Sequence, residues 1–456
     1  MTLSDTARPA AAAVRHPLSP QQEFLRLFDA GDQTGPFGPR YIIVDGWRIR
    51  GPVDPGVLRA ALADVVARHE SLRTTVVRDA ERPGQLVAAP TAPNLVVRML
   101  PGVDPADRDR RAEELLNQLE AGTFAASQSP LLRAVLGRFD EDDAVLALTT
   151  HHTAGDAWSM QVIVADLAEC YAARAAGRVP ELEPVPQYRD YAVAERERGP
   201  LPATLDYWRR TLDGARILTV PVDTSLDPAA PPRTSWYRFV VEPRLRTAVL
   251  GLAEQTRSTP FMVLLAAFSL LRAGRDGLGD VTVPTFTPGR RDGRFQRTVG
   301  SFFNFVPVRT DLAGCTSFRE AILRTRAACL GAYRHETPFI HVLGQAPALM
   351  APAAPGGGAA PCLFQVIQPP YVMEAERHGD LEYSAIWRRV VSQPEGSDIP
   401  DGMLWSLHVG PSDDIVGAIG YSSHLFTRSA VAAAAAEYIS ALKGFTTRPD
   451  EAPAVA

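Results

Sequence analysis

Residues 179–187 read VPELEPVPQ, three prolines in nine residues. Proline fixes φ, donates no backbone hydrogen bond and steers the preceding residue away from the helical region. Neither a helix nor a central strand can run through such a stretch. A chain interrupted this way is expected to fold as two bodies joined by an extended crossing. Its 456 residues leave enough sequence on each side for a hydrophobic core.

Before the crossing, 41–50 has strand composition. Asp54-Pro55 supplies an N-cap and an N1 proline, and Val57, Leu58, Ala61, Leu62, Val65 and Val66 recur at helical spacing. A strand is predicted over 72–78 and a helix from Asp104-Pro105 through Leu115, Leu116 and Leu119. Segments 131–139 and 144–149 predict a hairpin around the acidic turn 140–143, leading to His151-His152. A helix over 158–176 follows, stopped by Gly177. Beyond the crossing, helices are predicted near 204–212, 243–256, 259–272 and 317–335. Strands are predicted near 238–241, 281–285, 305–309, 363–367, 404–409 and 415–421. The Ala/Pro/Gly-rich stretch 346–361 reads as a flexible surface loop, because no GK[ST] follows its triple glycine. The irregular alternation predicts an α/β (α+β) protein with mixed sheets. Its expected parts are a frayed tail 1–16, a lobe 17–178, a linker 179–187, a lobe 188–447 and a tail 448–456.

Several functional classes recede at once. No run of 18 apolar residues exists, so no membrane-crossing helix is predicted. Residues 1–6 carry no positive charge and 10–14 are too short for a signal-peptide core, which predicts a cytoplasmic protein. A net charge of −5 gives no general attraction to nucleic acid. Lys443 is the single lysine among 47 basic residues. Scattered as the arginines are, GC-rich codon usage explains them better than a phosphate site. Cys170, Cys315, Cys329 and Cys362 are far apart and form no C-x-x-C pair, so they read as small buried hydrophobes rather than a disulfide or zinc framework.

The segment with the most chemistry is Thr150-His151-His152-Thr153-Ala154-Gly155-Asp156-Ala157-Trp158-Ser159. Adjacent residues of an extended chain point to opposite sides, so one histidine can face a cavity while the other braces the loop. A cavity-facing histidine is a proton acceptor suited to neutral pH. Asp156 falls at a helix start, where an anion is favoured. The same residues also read as a metal pair, as structural core, or with Asp156 as a plain N-cap. Opposed side-chain directions speak against metal.

This segment resembles the HHxxxDG motif of the condensation domains of nonribosomal peptide synthetases, which are related to chloramphenicol acetyltransferase. Other stretches resemble that family's motifs in the same order. They are Leu18-Ser19-Pro20-Gln21-Gln22, Arg68-His69-Glu70-Ser71-Leu72-Arg73-Thr74, Gln187-Tyr188-Arg189-Asp190-Tyr191-Ala192 and Asp206-Tyr207-Trp208, then Val299-Gly300-Ser301-Phe302-Phe303-Asn304 with Arg309, and His335-Glu336-Thr337-Pro338-Phe339. The resemblance runs from about 17 to 445. It departs at Ala157, where the motif has glycine, and at 360–363, where a late motif is poorly represented.

The resemblance implies two chloramphenicol-acetyltransferase-like lobes in a V-shaped pseudodimer with a tunnel between them. It implies a free-standing acyltransferase: an acyl or aminoacyl group passes from a carrier-protein thioester to an amine or an alcohol, forming an amide or an ester. No metal or bound cofactor is implied, only the phosphopantetheine arm of the carrier. His152 becomes the candidate base and His151 a structural residue. Asp156 is expected to pair with Arg290, or alternatively Arg309. Gly155, Ala157 and Trp158 are expected at the substrate, with the backbone at Ala157 near the developing oxyanion. Arg68, Ser301 and Asn304 carry supporting motifs. The order Asp156-Ala157-Trp158-Ser159 is that of condensing rather than epimerising relatives. His152 is retained where recruiting, non-catalytic relatives have arginine. The DFGWG motif of plant-type coenzyme A-dependent acyltransferases is missing. A carrier-protein docking module and a coenzyme A-dependent acyltransferase stand as the alternatives.

Overall fold

The strand Asp143–His151 is buried along its whole length, because both faces of its sheet are covered. Trp47, Ile49, Leu146 and Leu148 pack under the helices Pro55–Arg68 and Ala157–Ala175, while Ile42, Val44, Val145 and Ala147 pack against the helix Arg108–Glu120. Period-2 alternation thus sends apolar residues to two cores, and the strand reads as a continuous apolar run. Its partner is the strand Ile42–Arg50, antiparallel, with Ile42 opposite His151 and Trp47 opposite Leu146. The full sheet has six strands, with Leu132–Arg138 and Asn94–Met99 on one side. The computed structural model describes residues 14–227, 230–353, 358–368, 371–400 and 402–452.

The other two strands of this sheet, Leu381–Ala385 and Glu376–His378, come from far down the chain. A division at 179–187 therefore does not separate the lobes cleanly, since the C-terminal half lends an edge to the N-terminal sheet. The reverse also occurs. The helix Pro20–Arg26 packs its Phe24 into the C-terminal core, and Ser19, its N-cap, bonds Tyr188 across the crossing at 2.8 Å. Residues 178–187 carry no regular structure. Arg68 ties them down by donating to the carbonyls of Leu182 (3.5 Å) and Glu183 (2.6 Å).

The second lobe is built on a five-stranded sheet in the order Thr219–Pro221, Ala359–Ile367, Met403–His408, Ile415–Ser422, Thr234–Val241. The helices Pro243–Gln255, Pro260–Asp276 and Arg428–Thr447 contribute to the core on one of its faces. A separate hairpin joins Asp280–Thr287 to Asn304–Asp311. Both larger sheets are mixed, each with a parallel pair. The molecule is thus a two-lobed α/β protein.

Several expectations need correction. Arg15–His16, placed in the frayed tail, form a short strand against Gln85 and Leu86, because the chain lies beside an open sheet edge. Residues 1–13 lie outside the described residues. Leu72 and Arg73 belong to a 3₁₀ turn, Glu70–Arg73, before the strand Thr74–Val77. The supposed loop 346–361 holds a 3₁₀ turn, Pro347–Ala353, that buries Leu349 completely, and its end joins the strand Ala359–Ile367; 354–357 lie outside the described residues. The tail at 448–452 is held in part, since Arg319 donates to the Pro449 carbonyl and pairs with Asp450. Cys315 is half-buried and donates to the Ser317 carbonyl, unlike the buried Cys170, Cys329 and Cys362. No helix among the described residues is long and apolar enough to cross a membrane.

Candidate active site

The strand Asp143–His151 ends where the helix Ala157–Ala175 is about to begin, and the two histidines sit at that corner. They have opposite surroundings. His151 is fully buried. Its Nε2 meets the Gly38 carbonyl at 3.0 Å and its Nδ1 meets Thr153 Oγ1 at 2.8 Å. A carbonyl can only accept, so Nε2 carries the proton and both ring nitrogens are occupied. Burial pushes this imidazole down to about 4.

His152 is half-buried. Its backbone N–H donates to the Tyr41 carbonyl at 2.9 Å, and its ring stacks on Tyr41 with centroids 4.7 Å apart. Phe303, from the second lobe, meets the ring edge-on at 5.0 Å. Nδ1 lies 3.0 Å from the Gly155 carbonyl. By the same reasoning Nδ1 donates, which in the neutral ring leaves the Nε2 lone pair uncommitted. Burial holds the imidazole below its ordinary value, partly offset by its own backbone carbonyl, by the charge of Asp156 and by the Gly155 carbonyl. Titration near neutrality, the ordinary expectation for a cavity histidine, therefore gives way to a ring that stays neutral to lower pH.

Asp156 does not face His152 as a proton relay. It caps the helix, accepting from the Ser159 N–H at 2.7 Å and from Ser159 Oγ at 2.7 Å. It also accepts from the Phe302 N–H at 3.0 Å and from Arg290 Nη2 at 3.1 Å. Arg290 in turn donates to the carbonyls of Phe295 (2.8 Å) and Thr298 (2.6 Å), and its guanidinium lies over the Phe302 ring at 3.9 Å. This buried pair joins the two-histidine corner to the loop 288–303 of the other lobe. The loop needs two close approaches: a Cβ on Gly289 (φ +65°) would fall 1.9 Å from the Phe302 carbonyl oxygen, and one on Gly300 would fall 2.1 Å from the Tyr188 ring.

Arg309, the alternative partner of Asp156, lies elsewhere. It pairs with Asp280 at 2.8 Å and donates to the Asp213 carbonyl at 2.7 Å. Arg68 is also remote; it pairs with Asp166 at 2.8 Å, as does His69. Asn304 bonds the Thr337 carbonyl and the Phe339 N–H at 2.9 and 3.0 Å, which pins 336–339 to the hairpin. Ser301 receives the Tyr188 hydroxyl on its carbonyl at 2.6 Å, while its own Oγ is buried without a partner. Trp158 is half-buried and donates to the Gln296 carbonyl at 2.9 Å. Gly155 is buried, and Ala157 is exposed at the first helical turn. Ala157 is not among the residues with positive φ, so the backbone there does not call for the glycine of the motif.

Tyr41 and Phe303 flank His152 and Ser159 supports Asp156, roles that the sequence patterns did not assign. Ser159 had a readable signal, three positions after the capping Asp156. Phe303 stood inside the quoted motif 299–304 without a role of its own, and Tyr41 only opened the predicted strand; both reach His152 through strand pairing and lobe contact. Among the described residues no group of three or more His, Cys, Asp or Glu side chains could hold a metal ion.

The profile of the Condensation domain family matches residues 16–347. The SgcC5 protein of Streptomyces globisporus, solved in complex with (R)-(-)-1-(2-naphthyl)-1,2-ethanediol and sucrose, is 45% identical. It superposes with a TM-score of 0.91, covering 96% of this chain and 100% of that one. The X-domain from teicoplanin biosynthesis is 26% identical with a TM-score of 0.73, covering 97% of this chain and 98% of that one; an X-domain from the same pathway is also known in complex with OxyB. The dimodular nonribosomal peptide synthase of Bacillus subtilis is 31% identical over 99% of this chain and 19% of its own length. The chain spans only 6% of each of three further relatives, among them linear gramicidin synthase subunits B and D of Brevibacillus parabrevis.

Proposed function

The chain belongs to the condensation-domain family, and from that premise we propose that it is an acyltransferase that moves an acyl group from a carrier-protein thioester to a hydroxyl or amine. The observation that carries this reading is the His152 ring, with Nδ1 committed to the Gly155 carbonyl and Nε2 left with a lone pair. In the proposed step the acceptor oxygen or nitrogen attacks the thioester carbonyl while its proton moves to Nε2. The tetrahedral intermediate then expels the thiolate, which takes the proton back as the thiol. A thioester is already activated, so positioning and one proton acceptor suffice. Ala157, exposed in the first turn of the helix, offers a helix-start backbone to the developing negative charge. The phosphopantetheine arm belongs to the carrier and arrives as part of the substrate.

An alcohol acceptor is favoured over an amine by one finding: the 45% identical SgcC5 protein is known with an aromatic vicinal diol. The docking-module reading draws on the X-domain and OxyB, at 26% identity. The retained His152 and its free Nε2 favour chemistry. The test is to incubate acyl-loaded carrier protein with 1-aryl-1,2-ethanediols and with the matching amino alcohols, following product mass. Ester from the diol supports the reading; amide only from the amino alcohol moves the acceptor to an amine. Neither product, with carrier protein still bound, favours the docking module. Product from acyl-coenzyme A at the carrier's rate points to a coenzyme A-dependent enzyme.

A further inference from the structure

Two aromatic rings border the uncommitted nitrogen of His152, one from each lobe. Tyr41 lies against a face of the imidazole, with centroids 4.7 Å apart and planes tilted by 15°. Phe303 meets the same imidazole at 5.0 Å with its plane turned by 62°. Tyr41 stands just before the strand Ile42–Arg50, and Phe303 just before the strand Asn304–Asp311. Behind Phe303 stands Phe286, 5.8 Å away on the other arm of the hairpin.

These four rings touch in series, Tyr41 to His152 to Phe303 to Phe286, and all four are half-buried. Their chain neighbours Ile42, His151, Thr285, Phe302 and Asn304 are buried. The series therefore runs beside the cores of the two lobes without being sealed into either. It also carries no free charge. No charged group among the described residues bears on Tyr41, and Asp156, which bears on His152, is already paired with Arg290. A hydroxyl bonded to Nε2 sits roughly 3 Å beyond it in the imidazole plane. Nδ1 and the imidazole face towards Tyr41 are already occupied. The carbons that carry the hydroxyl must then run along the Tyr41 or the Phe303 ring.

We infer that Tyr41 and Phe303 determine acceptor specificity, clamping a flat aromatic group carried beside the reacting hydroxyl or amine. This deepens the proposed acyl transfer and rests on that reading for the bound group being the acceptor. Aromatic rings in offset or edge-to-face contact gain more than their apolar burial, because the edge of one ring is positive and the face of the other negative. A saturated ring of the same carbon count buries at least as much apolar surface but lacks that attraction and is not flat. With one ring supplied by each lobe, the clamp is complete only when both lobes are in place.

The test is equilibrium binding followed by ligand-observed NMR, which needs no turnover. The probes are 1-phenyl-1,2-ethanediol against 1-cyclohexyl-1,2-ethanediol, with the matching 2-amino alcohols as a second pair. The wild-type protein should bind the phenyl member of at least one pair about three- to tenfold more tightly. Phe303→Leu and Tyr41→Leu should each reduce that preference to under about twofold. Melting temperature checks that both variants fold; should Tyr41→Leu not fold, Phe303→Leu decides alone. In acyl transfer, Phe303→Leu should raise the KM of the phenyl acceptor more than it lowers kcat. Equal or tighter binding of the cyclohexyl members, or a phenyl preference that survives substitution, overturns the clamp. So does a fall in kcat that is the same for both acceptors with KM unchanged, since that is the effect of a loosened His152 alone. A phenyl preference without acyl transfer overturns only the catalytic reading; transfer without the preference overturns only the clamp.

Discussion

His151 and His152 are neighbours in sequence with opposite environments. His151 has both ring nitrogens bonded inside the first lobe, to Gly38 and Thr153. His152 has one nitrogen bonded and an aromatic neighbour on each side, Tyr41 from its own lobe and Phe303 from the other. The extended backbone turns successive side chains to opposite faces, so one histidine closes a core while the other is left with a lone pair. The difference teaches that a doubled residue here is a division of labour: one ring holds the corner, the other can act at it.

The comparison breaks first at His152. His152→Ala should fold normally and lose roughly 10²–10⁴-fold in turnover with carrier-bound donor if proton transfer limits the rate. Unchanged turnover would remove the catalytic role. The next largest effect concerns the pair behind both histidines. Arg290→Ala leaves the buried Asp156 uncompensated, and a loss of about 3–5 kcal/mol is expected in denaturant titration. Asp156→Asn should weaken the same contact, and the double variant should lose less than the two single losses combined. Full additivity would dissolve the coupling.

His151→Ala should cost about 2–4 kcal/mol, from a cavity and from orphaning the Gly38 carbonyl, with turnover per folded molecule nearly kept. A stable but inactive His151→Ala would reverse the two roles. The pH dependence sharpens this. His151 is held at about 4 in the folded protein, against about 6.5 unfolded. Between those values the unfolded chain takes up a proton that the folded chain refuses. The contribution is therefore fully present above about pH 6.5 and is lost as pH falls towards 4, roughly 3 kcal/mol in all. Unfolding curves at pH 7, 6, 5 and 4 should show the decline, and a His151→Gln variant should flatten it. The smallest effect belongs to Ala157→Gly. Since Ala157 needs no left-handed backbone, restoring the motif's glycine should cost under about 1 kcal/mol of stability. Melting temperature together with turnover checks this, and a large gain in turnover would show that the methyl obstructs the substrate.

Much of the first lobe was legible because its signals are local. Asp54 and Pro55 mark a helix start, and Asp54 does cap Pro55–Arg68. The two apolar arms before His151 pair antiparallel around the acidic turn, as their composition implies. Asp156 was legible as a cap and Arg290 as its partner through the motif order, while Arg309, the alternative, lies against Asp280. The choice between two arginines is a matter of reach, which residue type does not encode. The loop reading of 346–361 failed for a related reason. Its composition is that of a linker, but burial of Leu349 and pairing with Thr219–Pro221 override local propensity.

The sequence by itself determined which residues can do chemistry and where helices start and stop, because capping, proline geometry and periodicity act over a few residues. It determined the two-histidine corner and the proline-rich crossing between the halves. Only the tertiary structure decided that Leu381–Ala385 completes the first lobe's sheet and that Phe24 fills the second lobe's core. It alone set Tyr41 and Phe303 around His152. Those contacts join positions more than a hundred residues apart. Their energies come from burial and strand register, which exist only once the chain has closed on itself.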